Sequence, residues 1–406
     1  MCNKYCWTTI TTLFCILAMF AVKKLYSKDE TSHVVKVGFL YNADTATAYT
    51  NNFARTQTEL ENYFGDRIKI YAKYNLGENE AECGQAIEYF ISEGCQLIFA
   101  VSYGHGSIMK KMAEKYPDVH FCHATGDLAS TEPVLPNYHA FMGRIHEGRY
   151  VCGIIAGMKI QELILQGKIK RSEVKIGYVG AFSYAEVISG YTAFFLGVRS
   201  IIPEAQMIVH YTGTWSNHVI EKKCAERLID EGCVIISQHS DTAGPAIACE
   251  EASVKHGKTV FHVGYNQSMI DVAPTTSLVS CRINWTPYMQ GAVQAVLDGK
   301  SIEKTVKSPY KGTDAAAGFD RNWIEIIGIN RLILAEGTLE AAEKIENQFK
   351  RDGISVFQGN YTGVNPFDAN DVWDLRNPFI ECEKRSAPAF CYVLRDVISN
   401  DTNTAP

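Results

Sequence analysis

The chain is 406 residues long, 46% hydrophobic and 21% charged, with a formal net charge of -6. That length suffices for two ordinary domains, each with its own apolar core. A mild acidic balance argues against a nucleic-acid-binding surface, which would need a basic excess or stripe.

In chain order, residues 1–32 come first: an uncharged stretch from Trp7 to Val22 is followed by Lys23-Lys24. Sixteen uncharged residues fall short of the ~20 a spanning helix prefers. The segment reads as an uncleaved membrane anchor, with a cleaved signal peptide as the alternative. Beyond it, short apolar runs alternate with amphipathic segments of helical length, the pattern of parallel sheets with crossover helices. A first lobe is expected with strands over 34–41, 68–74, 97–101 and 119–123 and helices over 46–64, 78–93 and 106–116. The segment 138–145 reads as a connection between lobes, followed by a helix over 146–163. A second lobe is expected with strands over 174–179, 207–211, 234–238, 259–264 and 276–281, and helices over 185–201, 216–231 and 243–256. A helix over 287–297 and a strand over 323–329 read as return crossings, giving three connections and a hinge. The last stretch, 358–406, is rich in Asn, Asp and Pro and reads as a mostly irregular surface extension. The domain reading is therefore a first lobe of 33–141 plus 283–320 and a second of 142–282 plus 321–357.

The two lobes repeat one another. Lys36-Val37-Gly38-Phe39-Leu40-Tyr41 returns as Lys175-Ile176-Gly177-Tyr178-Val179-Gly180, and Ile91-Ser92-Glu93-Gly94-Cys95 as Ile229-Asp230-Glu231-Gly232-Cys233. Val119-His120-Phe121 returns as Thr259-Val260-Phe261, and the offsets are 139, 138 and 140 residues. Two similar α/β lobes set their ligand-binding strand ends opposite each other, which suggests a clamp. Ten cysteines lie beyond residue 30; a core this large does not need disulfides, and the apolar setting of several favours buried thiols over bridges.

Ligands of open α/β sheets bind beyond the carboxyl ends of the strands. Those ends here are polar and aromatic: Asp44, Tyr49 and Thr50 after the first strand, Ser102-Tyr103-Gly104 after the third, and Thr125 after the fourth. In the second lobe they are Phe182, Trp215, His239, Asp241 and Asn266. Such loops supply aromatic faces for a flat ring and donors and acceptors for its rim, although Ser, Thr, Asp and Asn also cap helices. Catalytic motifs do poorly. Gly257-Lys258-Thr259 resembles the end of a phosphate loop, but Ala252 stands where the first Gly belongs and the segment feeds a strand rather than a helix. His239 with Asp241 would suit an acid/base pair or a metal fragment, yet a cleft-lining His and a capping Asp explain both. No cofactor, metal or catalytic residue is expected.

The stretch Gly177-Tyr178-Val179-Gly180-Ala181-Phe182, with Glu186-Val187, Ala193-Phe194 and Gly197-Val198-Arg199-Ser200, resembles the basic membrane protein family of ABC-transporter substrate-binding proteins. Trp215, Gln238-His239-Ser240-Asp241-Thr242, Gly264-Tyr265, Gly143-Arg144-Ile145, Gly153-Ile154-Ile155-Ala156-Gly157 and Asn284-Trp285-Thr286-Pro287-Tyr288 continue the resemblance, which runs from about 34 to 360. It implies an α/β type I periplasmic-binding fold with two Rossmann-like parallel-sheet lobes and a three-strand hinge. It also implies a purine base or nucleoside as ligand, with Tyr49 and Trp215 stacking on opposite faces of the base. The chain departs from the family at two places. Asn266 stands where many members carry the Asp that chelates ribose, and Asn284, beside Trp285, stands near a ribose-binding Lys. The loss of both charges shifts the expected ligand toward a free base, with Asp44 a candidate for its edge.

The expected function is thus a non-enzymatic, extracytoplasmic binding protein, anchored or secreted and monomeric, that delivers a purine-like ligand to ABC permease subunits. A membrane-anchored ligand sensor of the same fold and, more distantly, a nucleoside hydrolase using His239 and Asp241 are the alternatives.

Overall fold

A computed structural model describes residues 34–351 and 353–401, so the expected leader or anchor over 1–32 lies outside the described residues. The first lobe begins with β1 (Val35–Leu40), α1 (Ala48–Phe64), β2 (Ile68–Lys73), α2 (Glu80–Ser92), β3 (Leu97–Ala100), α3 (Gly106–Lys115), β4 (His120–Ala124) and β5 (Tyr138–Gly143). The second contains α4 (Ile145–Leu165), β6 (Lys175–Gly180), α5 (Ala185–Arg199), β7 (Gln206–Tyr211), α6 (His218–Asp230), β8 (Ile235–His239), α7 (Gly244–His256), β9 (Phe261–Tyr265) and β10 (Ser277–Ile283). There follow α8 (Thr286–Asp298), β11 (Asp314–Ala317), β12 (Ile324–Ile327), α9 (Thr338–Arg351), β13 (Thr362–Asn365), β14 (Asp368–Asp374), β15 (Val393–Leu394) and β16 (Ile398–Asp401).

One sheet has the order β11-β5-β4-β3-β1-β2 and is parallel throughout. The other has the order β12-β10-β9-β8-β6-β7-β16, parallel except where β12 runs against β10. Helices cover both faces, so the central strands are almost wholly buried and read as unbroken apolar runs instead of alternating ones. The side chains of Asn79 and Asn217 accept the orphan N–H groups that open α2 and α6. Helices α4 and α5 pack with almost no gap: a Cβ on Gly153 would lie 2.1 Å from the Phe194 carbonyl, and one on Gly197 2.3 Å from the Tyr150 carbonyl.

Each sheet reverses its strand order at one place, β1/β3 in the first and β6/β8 in the second. These switch points leave a crevice beyond the carboxyl ends of the strands. The chain passes between lobes at Arg144, at Asn284 and at Gly318–Trp323, and the crossings are tied together. Arg144 N–H donates to the Ala317 carbonyl (2.8 Å) and Asn284 N–H to the Trp323 carbonyl (2.8 Å). Glu147 accepts from Phe319 N–H at 2.8 Å, and burial pushes its carboxyl up to about 7.

Four expectations need correction. The segment 138–145 is mostly β5, a full strand of the first sheet, because its six buried residues fill a central position there. The helix over 287–297 is not itself a crossing: α8 packs on α1, with Phe53 stacked on Trp285 at 4.5 Å. Strand β11 and helix α9 were not anticipated at all. The C-terminal stretch is not mostly irregular. It builds a three-stranded antiparallel sheet, β14-β13-β15, and its last strand, β16, adds to the edge strand β7. The ten described cysteines are unpaired, nine of them buried. Among the described residues no helix is long and apolar enough to cross a membrane.

Candidate functional site

A narrow space lies between the two switch points, lined by Asn42, Tyr49, Ser102, Tyr103 and Thr125 from the first lobe and Glu186, Trp215, His239, Asp241 and Tyr265 from the second. The rims touch: the N–H of Ala48, an orphan donor of the first turn of α1, donates to the Asp241 carbonyl at 3.0 Å.

On the first rim the polar groups are neutral and held from behind. The Tyr49 hydroxyl donates to the Val101 carbonyl at 2.6 Å, which fixes the ring at the pocket. Glu78 accepts from the Ser102 hydroxyl (2.6 Å) and from Gly104 N–H (3.0 Å) through the same oxygen, pinning the loop after β3. The Tyr103 hydroxyl donates to Asp127 at 3.1 Å. Behind Ser102, the His123 ring bonds the Ser102 carbonyl (2.7 Å) and the Tyr138 hydroxyl (2.8 Å), and burial lowers its pKa to about 4.

The second rim carries ionisable groups in low dielectric. Glu186 sits in the first turn of α5 with a carboxylate oxygen 3.4 Å from His239 Nε2. His239 is buried to 2% exposure; burial and the nearby Arg149 charge lower its pKa, against the opposing pull of Glu186, so its ring is held neutral. Asp241 shows the reverse: burial, then the charges of Glu221 and Glu186, raise its pKa well above the ordinary value. The Asp241 loop is fixed by backbone bonds, its N–H donating to the Trp215 carbonyl at 2.9 Å. Glu221 reinforces it, accepting from the Ser240 hydroxyl (2.8 Å) and Thr242 N–H (3.0 Å). Arg149 braces the rim from below, donating to the Gln238 carbonyl at 2.8 Å with its guanidinium 3.8 Å over the Tyr265 ring. A Cβ on Gly190 would stand 2.8 Å from His239 Nδ1, so the glycine lets α5 approach the imidazole.

Seven residues singled out from the sequence meet at this pocket: Tyr49, Ser102, Tyr103, Thr125, Trp215, His239 and Asp241. The other seven lie elsewhere. Asp44 is exposed and closes a turn, accepting from Ala46 N–H at 3.0 Å, so it does not offer its carboxylate to the pocket. Thr50 is fully buried one residue behind Tyr49 and donates toward Asn42. Gly104 bonds Glu78, and Phe182 packs behind the wall, against Tyr184 (5.1 Å) and edge-on to Trp215 (5.3 Å). Trp285 is core, stacked on Phe53, and the Asn284 side chain spans hinge segments by donating to the Asn322 carbonyl at 3.0 Å. Asn266 is buried next to the wall residue Tyr265, in left-handed backbone at φ 65°, with both amide atoms unpartnered among the described residues. Its N–H donates to the Cys281 carbonyl, while Asn52 of α1 donates to the Ile283 carbonyl at 2.8 Å. Carbonyls two residues apart leave the same edge of a strand, so N–H donors from both lobes meet one edge of β10.

Three lining residues were not assigned from the sequence: Asn42, Glu186 and Tyr265. Glu186 had a readable signal, an acidic residue opening a helix at a strand end, but it is indistinguishable there from a residue complementing the helix dipole.

Comparison with known proteins bears on the family and the fold. A family model described as ABC transporter substrate-binding protein, PnrA-like, matches residues 55–327. A purine-binding protein of Brucella abortus is 32% identical over 65% of this chain and 69% of its own length. A protein of Haloferax volcanii described as an ABC transporter glucose-binding protein is 31% identical over 57% of this chain and 53% of its own length. Among solved structures, an ABC-transporter solute-binding protein of Aeropyrum pernix superposes with a TM-score of 0.65 at 15% identity, covering 83% of this chain and 95% of that one.

Proposed function

Because the chain belongs to the PnrA-like family of ABC-transporter substrate-binding proteins, we propose that it holds a purine between its lobes and delivers it to an ABC permease. Membership of that family makes it a solute-binding protein of the extracytoplasmic kind; the purine, the permease, a monomeric state and attachment through residues 1–32 are the proposal. The observation that carries the purine reading is the pairing of Tyr49 and Trp215, one from each lobe, on a single narrow pocket. Stacking on such a ring is worth about 1 to 3 kcal/mol per aromatic. Three further groups line that pocket: the Asn42 amide and the His239 imidazole, whose pKa burial lowers, each combine donor and acceptor, and the Asp241 carboxyl, whose pKa burial raises, does so when protonated. The edge of a purine, where ring nitrogens alternate with N–H or carbonyl groups, is complementary to such a set.

The purine-binding relative supports this choice of ligand, and the glucose-binding one names the competitor to test. Calorimetric titration with adenine, guanine and hypoxanthine, beside glucose, decides between them. One purine bound per chain is expected; heat from glucose alone would refute the assignment.

A further inference from the structure

The C-terminal extension, beyond the 55–327 match, is bonded to both lobes through one short segment. Ser386 N–H donates to Asp314 of β11 at 2.8 Å, and the hydroxyl of Tyr310, in the loop before β11, donates to the Cys382 carbonyl at 2.6 Å. Both of these partners belong to the first lobe. On the other side Ser189 of α5 donates to Glu381 at 3.2 Å. Two more ties hold the extension to the second lobe: Arg199 of α5 donates to the Tyr361 hydroxyl at 2.9 Å, and β16 pairs with β7.

The segment has no slack. Glu381 and Cys382 are consecutive, with Cα atoms about 3.8 Å apart, yet the first is bonded to one lobe and the second to the other. Glu381 also accepts from the N–H groups of Ala389 and Phe390, and the Cys382 thiol donates to the Ser386 carbonyl at 3.3 Å. The stretch 381–390 is therefore a braced loop, not a loose tether. Cys382 is held in left-handed backbone at φ 56°, a conformation that a non-glycine residue keeps only where its surroundings impose it. Glu381, Cys382, Ser386, Phe390 and Asp314 are all buried, so breaking these bonds exposes polar groups that have no water at hand to replace their partners. Neither anchor sits on a crossing: Asp314 precedes the one at Gly318 by four residues, and Ser189 stands one helical turn beyond the pocket residue Glu186.

We propose that residues 381–386 form a clasp, a fourth and non-covalent link between the lobes, that holds the cleft closed even without ligand. Rotation about the three covalent crossings moves Ser189 away from Asp314 and Tyr310, and the clasp has to release one side before the cleft opens. Entry and escape of any ligand then wait on that release, whatever the ligand is.

The test is single-molecule energy transfer on the ligand-free full chain, with dyes on noncanonical residues at the exposed positions Glu114 of α3 and Lys223 of α6. The wild type is expected to show one closed population. Tyr310→Phe/Asp314→Ala, which removes both first-lobe fastenings, should raise the open fraction at least about twentyfold, and Ser189→Ala, which loosens the opposite anchor with a single small change, about fivefold. Tyr392→Phe breaks a bond to Asp371 inside the extension and should leave the distribution as in the wild type. A wild-type chain that is mostly open, an open fraction raised by neither Tyr310→Phe/Asp314→Ala nor Ser189→Ala, or equal opening in Tyr392→Phe overturns the clasp. Should Tyr310→Phe/Asp314→Ala fail to fold, Ser189→Ala against Tyr392→Phe decides it.

Discussion

The two rims of the cleft come from the same duplicated β-α-β pattern, yet they have opposite electrostatic characters. The first presents an amide, hydroxyls and aromatic rings, with the nearby carboxylates occupied, Glu78 by Ser102 and Gly104 and Asp127 by Tyr103. The second presents Glu186 beside His239 and Asp241, whose burial lowers the pKa of the imidazole and raises that of the carboxyl. Duplication thus preserves where a site falls, at the carboxyl ends beside the switch point, without preserving what it contains. The first rim positions a ring; the second carries the groups whose protonation decides which hydrogen bonds are available.

This contrast can be broken at several points, and the largest effect is expected at the aromatic of the second rim. Trp215→Ala should weaken purine binding by about 1 to 3 kcal/mol with unchanged circular dichroism; unaltered affinity in a titration would remove Trp215 from the ligand's face. Next is the protonation of Asp241. A ligand bound to the protonated carboxyl loses affinity as pH rises through the raised pKa, because the ionised form offers no donor. Asp241→Asn keeps both donor and acceptor and should flatten that dependence while changing acid-side affinity by less than about 1.5 kcal/mol. A pH profile identical in the two proteins would show that Asp241 does not meet the ligand protonated. The smallest effect belongs to the first rim: Tyr103→Phe removes only a hydroxyl already spent on Asp127. It should cost under about 1 kcal/mol and leave the pH profile as it was; a profile altered by Tyr103→Phe would erase the distinction between the rims.

Much of the architecture was legible in the chain because parallel strands covered on both faces leave unbroken apolar runs, and repeated runs at nearly constant offset fix two sheets. The half of the expected residues that line the pocket include those directly at strand ends, such as Ser102, Thr125, His239 and Asp241. Those that lie away from the pocket share a physical reason. Asp44, Thr50 and Trp285 are polar or aromatic residues near strand ends that turn formation or packing has claimed, and composition does not distinguish a residue facing the cleft from one facing the core. Glu186 and Tyr265 line the pocket from positions that also suit a helix opening and a buried strand. The extension was misread because its strands are short and rich in Asn and Asp, residues of low β-propensity. They persist there through pairing with one another and, for β16, with β7, and through the packed rings of Phe357, Phe379 and Phe390, with centroids 4.1 Å apart for the first and last.

The central claim is that one ring is gripped between Tyr49 and Trp215. Its most direct test is calorimetric titration of the wild-type chain and the Tyr49→Ala/Trp215→Ala double variant with the tightest-binding purine. The account predicts one site per chain and a loss of at least about 2 kcal/mol in the folded double variant, the sum of two stacking contacts at their lower value. Undiminished purine binding by the double variant, or binding of glucose in place of any purine, would contradict it.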